Sequence, residues 1–241
     1  MSLMRSHQQA VREAMQTPAA EVIGTGAVVL GTMSTGLVGA QQLATMLENS
    51  LTEDLRILHE FTSIERKVEH KRDVLLPKYR EYMAQLMEAG QPHPLIGNYL
   101  VWCLDAGCIE EALTFADWCM LHNQPMPERF RASVPLFCAS QVLQWAEREY
   151  NAGRSFEPYL TETLTRIEGT IPDLPRWDVD DATCAGFHRL LGLQAEKDDR
   201  LADAEAALTR ALDLGAKVKT ALDGVRKRMA RAGSTDDPAT V

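Results

Sequence analysis

A chain of 241 residues is long enough to bury one large core or two small ones. Hydrophobic residues at 45% and charged residues at 24% are ordinary for a soluble globular protein, and 25 Lys and Arg against 34 Asp and Glu leave a formal net charge of −9. That balance repels nucleic acid in bulk, so any DNA contact has to come from local basic patches.

Met4, Val11 and Met15 predict a short helix within residues 1–17, ended by Thr17–Pro18. No basic segment followed by a short apolar run opens the chain, so no secretory leader is expected. Residues 22–47 carry no charged side chain, and a bilayer span takes ~20 apolar residues. Gly24, Gly26, Gly31, Gly36 and Gly39, with Thr, Ser and Gln between them, make it a poor membrane helix and predict a flexible arm that orders on assembly. Within it, Gly26 to Thr32 has the look of a phosphate loop but lacks the lysine that would reach the β/γ-phosphates. The arm as a whole is set at residues 1–49.

Helical patterning begins at Gln41. Ser50 with Glu53 fits a capping box, or both lie inside a longer helix starting near 41. Ile57, Phe61, Ile64, Val68 and Leu75 then recur at 4-3-4-7 spacing, a heptad stripe suited to packing on a partner helix or another subunit. A long helix is therefore expected over about 50–76, stopped or kinked by Pro77, in a segment 50–89 devoted to oligomerisation and DNA. Arg66, Lys67, Lys71 and Arg72 form a basic group interleaved with Glu65, Glu69 and Asp73. This is either a solvated, salt-laced helix or a phosphate-contacting edge on an assembled ring or bundle.

Residues 81–128 contain no Lys or Arg but seven carboxylates, so DNA is not expected along that surface. Pro94 to Ala106 and Ile109 to His122 read as two helices of an αα-hairpin, with Gly107 suited to a left-handed cap. Pro125 and Pro127 close it, and helices follow at about Ser133 to Asn151 and Phe156 to Gly169. Leu191-Gly192, Ala195, Ala204, Leu208 and Ala211 occupy the small and apolar positions of a tetratricopeptide-type hairpin. The fold expected is all-α: a long heptad-bearing helix, then a core of repeat-like helical hairpins over 90–232. Lys217 to Arg231 carries six cations against Asp223, and 233–241 has the composition of a disordered tail.

No catalytic constellation emerges. Cys103, Cys108, Cys119, Cys138 and Cys184 have no zinc spacing and read as reduced core thiols. Asp173, Asp178, Asp180 and Asp181 are explained by turns and helix capping, with metal binding the lesser reading. His59, His70, His93, His122 and His188 have no nucleophile or metal partner at a meaningful spacing. No metal or cofactor is expected.

The run Ser63 to Pro77, with Ser63, Glu65, Lys67, Lys71, Arg72, Leu75, Leu76 and Pro77 in place, resembles the small terminase subunits of temperate cohesive-end tailed myophages. The likeness continues through Val101-Trp102, Asp105-Ala-Gly107, Glu111-Ala-Leu113 and Met126-Pro-Glu-Arg-Phe-Arg131, and covers about residues 43–230. It implies a packaging protein of the host cytoplasm, with no membrane association. Such a protein recognises double-stranded phage DNA near its cohesive-end site and delivers it to a large ATPase subunit. The resemblance also implies a homo-oligomeric ring, with Ile57, Phe61, Ile64, Val68 and Leu75 as the oligomerisation set. The DNA contacts would be Arg66, Lys67, Lys71, Arg72, Lys217, Lys219, Arg226, Lys227 and Arg228, which position the duplex through phosphates. Family members are often labelled the endonuclease subunit, yet no nuclease motif is recognisable here. The rivals are a metal-dependent endonuclease built around Asp173–Asp181 and a helical-repeat scaffold that never touches DNA.

Overall fold

The computed structural model describes residues 37–235. The chain divides into two units, 1–41 and 42–241. Of the first, the described residues are the opening turn of α1. The helix expected within 1–17, the phosphate-loop-like stretch and the end of the tail lie outside the described residues.

The elements are α1 (Leu37–Glu60), α2 (Ile64–His70), a π-helical turn (Lys71–Leu75), α3 (Leu76–Glu88), α4 (Pro94–Ala106), α5 (Ile109–Leu121), α6 (Val134–Asn151), α7 (Tyr159–Glu168), α8 (Asp181–Lys197), α9 (Leu201–Asp213) and α10 (Lys219–Thr235). The protein is all-α, as expected, with no strand among the described residues. No helix among them is long and apolar enough to cross a membrane.

The single helix expected over 50–76 is two helices. Ser50 sits inside α1, where its Oγ accepts a hydrogen bond from the Tyr79 hydroxyl at 3.0 Å, so the longer-helix alternative holds rather than the capping box. The face α1 buries is Leu47, Leu51, Asp54 and Leu58. After Glu60 the chain leaves the helix for Phe61–Ser63. Ser63 then caps α2, its Oγ accepting from the Arg66 amide at 3.3 Å, and Glu65 lies favourably in the first turn. The heptad stripe is thus cut, because a capping hydroxyl restarts the helix in the middle of it.

Pro77 does not stop the chain. Proline lacks an N–H and its ring crowds the carbonyl four residues back. The preceding turn widens to meet this, and the Leu76 N–H donates to the carbonyl of Lys71, five residues back. In this widened turn the successive residues Leu75 and Leu76 both bury completely, at 0% and 1% exposure.

α4 is the central helix. Its residues Leu95 to Leu104 are all buried, against α2, the π turn, α3, α5 and α6. His93 caps it, with Nδ1 accepting from the Leu95 amide at 3.1 Å, and Pro94 occupies the first turn, where no N–H is needed. Gly107 ends it at φ 77°, and the Cys108 amide donates to the Cys103 carbonyl at 2.9 Å, so this hairpin forms as expected. α8 and α9 form the later hairpin, where a Cβ at Gly192 would lie 2.7 Å from Leu208 Cγ. Its core of Ala195, Ala204, Leu208, Ala211, Val218, Leu222 and Val225 is separate from the larger one around α4. The tetratricopeptide likeness goes no further than this close small-residue packing.

The cysteines are free thiols. Burial raises their pKa values, that of Cys119 to about 12, so these thiols stay protonated and inert. Asp180 caps α8, with Oδ1 accepting from the Thr183 amide at 2.7 Å, and Asp173 takes a left-handed turn conformation at φ 63°. Among the described residues no group of three or more His, Cys, Asp or Glu side chains is placed to hold a metal ion.

Candidate nucleic-acid interface

Three carboxylates of the acidic stretch 81–128 are bound internally. Lys71 Nζ donates to Asp105 Oδ2 at 2.6 Å, with the lysine side chain only 16% exposed. Arg80 grips Glu111 through two nitrogens at 3.2 and 2.8 Å, and the Tyr99 hydroxyl donates to the same carboxylate at 2.7 Å. Burial, with Glu111 next in importance, pushes the Tyr99 hydroxyl well above its ordinary value, so it remains a donor. Arg166, with its side chain 8% exposed, forms a two-nitrogen pair with Asp117 at 2.9 and 2.7 Å. Three of its seven carboxylates therefore join helices, while Glu81, Glu88, Glu110 and Glu128 are exposed.

The basic group near α2 is divided by the same logic. Lys71 faces the core side and is held by Asp105. Arg72 lies outside and forms a two-nitrogen pair with its neighbour Asp73 at 2.8 and 3.1 Å, which holds that carboxyl below its usual range. Arg66 sits 5.5 Å over the Phe61 ring, and neither it nor Lys67 has a carboxylate within ion-pair distance among the described residues.

The C-terminal cluster shows a parallel split. Arg226 donates to Glu205 at 2.7 Å, and Arg228 pairs with Asp199 and, at 3.5 Å, with Glu196. Lys217, Lys219 and Lys227 are exposed and have no carboxylate partner among the described residues. The nine cations named from sequence thus fall into paired Lys71, Arg72, Arg226 and Arg228, and unpaired Arg66, Lys67, Lys217, Lys219 and Lys227.

Of the proposed oligomerisation set, Leu75 lies wholly in the chain's own core, and Ile57, Phe61 and Val68 are half-buried. Ile64 is 80% exposed, the most exposed large apolar side chain described. Leu75 is therefore committed to folding, and Ile64 is the member free to meet another surface.

Sequence spacing gave no role to Arg129 and Arg131. They lie in the loop between α5 and α6, where Arg129 Nη1 donates to Asn98 Oδ1 at 2.9 Å. Burial lowers the Arg129 guanidinium from its ordinary value, opposed by the nearby Asp105 carboxylate. Asp105 thus acts on both Lys71 and Arg129.

Residues 48–173 match the family described as phage small terminase subunit. A protein of Haemophilus phage HP1 (strain HP1c1) named "Probable terminase, endonuclease subunit" is 29% identical over 126 residues, covering 51% of this chain and 44% of the relative. The likeness thus spans less than half of that relative's length. No solved structure matches the chain.

Proposed function

The chain belongs to the phage small terminase subunit family, and from that premise we propose that it is the DNA-recognition subunit of a packaging terminase. It binds double-stranded phage DNA at the cohesive-end site in the host cytoplasm and delivers it to the large ATPase subunit. The observation that carries the DNA contact is the set of cations without a carboxylate partner among the described residues, the exposed Arg66, Lys217, Lys219 and Lys227 and the half-buried Lys67, on a chain whose net charge is −9. An acidic protein that leaves these cations without carboxylates keeps them available for phosphate, where each contact releases counterions. Lys71, Arg72, Arg226 and Arg228 keep their charge but share it with carboxylates, so they hold the interface more than they bind.

The subunit works as a homo-oligomeric ring, with Ile64 at the contact between copies and Phe61, Ile57 and Val68 beside it. The exposed Ile64 supports this contact, and the native mass of the protein tests it.

The test is fluorescence anisotropy with a duplex carrying the cohesive-end sequence, followed by capture with the large subunit. Binding that weakens linearly on a log–log plot against salt is expected. An absence of binding at low salt favours a scaffold without DNA contact. The name of the HP1 relative favours a second reading, in which this chain itself cuts DNA. Nicking of cognate DNA by the purified chain with Mg²⁺ or Mn²⁺, without the large subunit, would establish it.

A further inference from the structure

Most arginines with a described partner in this molecule hold a carboxylate; Arg80, Arg154 and Arg166 each do so with two nitrogens. Arg129 is different. Its hydrogen-bond acceptor is the neutral amide of Asn98, and its guanidinium lies 4.8 Å over the Phe130 ring. Asn98 is 3% exposed, and its Nδ2 donates to the Pro94 carbonyl at 2.9 Å, which fixes Oδ1 toward Arg129. An amide and an aromatic face orient the guanidinium without cancelling its charge.

The loop that carries it is anchored just as firmly. The His93 amide donates to Gln124 Oε1 at 2.8 Å, and Gln124 Nε2 donates to the Pro125 carbonyl at 3.0 Å. Pro125 lies so near α4 that a Cβ at Gly97 would come within 3.1 Å of its carbonyl oxygen. Phe130 packs on Phe137 with ring centroids 4.7 Å apart. The one carboxylate acting on Arg129 is Asp105, already bonded to Lys71, so two cations share a single negative charge. Glu128 is exposed and forms no ion pair with Arg129 among the described residues, and Arg131 adds an exposed cation two residues on.

We infer that the loop between α5 and α6 is a preset phosphate-contact site, with Arg129 oriented by Asn98 to take a DNA phosphodiester oxygen pair. Nη1 is used by Asn98, which leaves Nε and Nη2 as the edge for a two-point contact of the kind arginine makes with phosphate. The inference rests on the DNA-binding reading above and adds a contact that charge runs in the sequence do not mark.

Duplex DNA carrying the cohesive-end sequence, titrated across salt concentrations, tests it, with thermal melting as the check on folding. Arg129→Gln is expected to weaken binding about tenfold and to reduce the log–log salt slope by about 0.9, the share of one phosphate contact. Arg129→Lys keeps the charge and loses the fork, so it weakens binding while leaving the slope near that of the parent protein. Asn98→Asp supplies a carboxylate beside Arg129 and is expected to act like Arg129→Gln. If Arg129→Gln does not fold, Asn98→Asp and Arg129→Lys decide the matter. Folded variants that bind with the parental affinity and slope overturn the site while the DNA-binding reading stands. Failure of the parent protein to bind DNA at low salt overturns that reading, and this site with it.

Discussion

Between residues 81 and 128, carboxylates bind cations from neighbouring helices across packed interfaces; between 217 and 231, lysines stay in water while Arg226 and Arg228 pair with α9 and the turn before it. Asp105 meets Lys71, Glu111 meets Arg80 and Asp117 meets Arg166, at sequence separations of 34, 31 and 49. These are staples between helices around the central α4. The second region has few carboxylates of its own, and the ammonium of lysine is strongly hydrated, so its lysines gain little from folding inward. Sequence charge and surface charge are therefore different quantities in this protein. What separates them is whether a cation's counter-charge lies across a packed helix interface.

The comparison breaks most easily at Asp117. Asp117→Ala would leave the Arg166 guanidinium buried without its partner, a loss of about 3–5 kcal/mol, visible as a large drop in the melting temperature. A drop no larger than that of an exposed pair would mean these staples are ornamental. Next is the stripe that sequence grouped together. Leu75→Ala empties a fully buried position and is expected to cost about 2–5 kcal/mol, whereas Ile64→Ala should leave chain stability within about 0.5 kcal/mol and act, if anywhere, on native mass. Equal effects on stability would erase the distinction between folding and assembly positions.

The smallest expected effect is at His188. Burial lowers its pKa, opposed by Glu168 at 4.0 Å and assisted by Arg210, so the folded state prefers the neutral ring. With the folded value below the unfolded one of about 6.5, the unfolded chain binds more protons as pH falls. Stability is then full above about 6.5 and declines below it. His188→Gln should flatten that part of a melting-temperature against pH curve, and an unchanged slope would contradict the assignment.

The α4–α5 hairpin was readable in advance because its signals are local: Pro94 in the first turn, Gly107 at the left-handed cap, apolar residues between. The break at Phe61–Ser63 was not, since the apolar spacing runs through it and a capping serine is indistinguishable from an ordinary polar residue. Pro77 announced an irregularity but not that a widened turn would absorb it. The basic group at α2 was visible as charge, yet the fate of Lys71 depends on a carboxylate 34 residues away. Arg129 was harder still: its holder, Asn98, is neutral and lies 31 residues earlier on a buried helix face.

Lys67 and Lys71 lie one helical turn apart, and the account rests on their having different duties. The most direct test compares Lys67→Gln with Lys71→Gln in DNA titrations across salt, alongside thermal melts. Lys67→Gln should reduce the salt slope by about 0.9 and leave the melting temperature unchanged within about 1 °C. Lys71→Gln should lower the melting temperature by several degrees, through the unpaired Asp105, and leave the slope as it was. The reverse pattern, with Lys71 setting the slope and Lys67 the stability, would contradict the division between cations that hold the fold and cations that meet DNA.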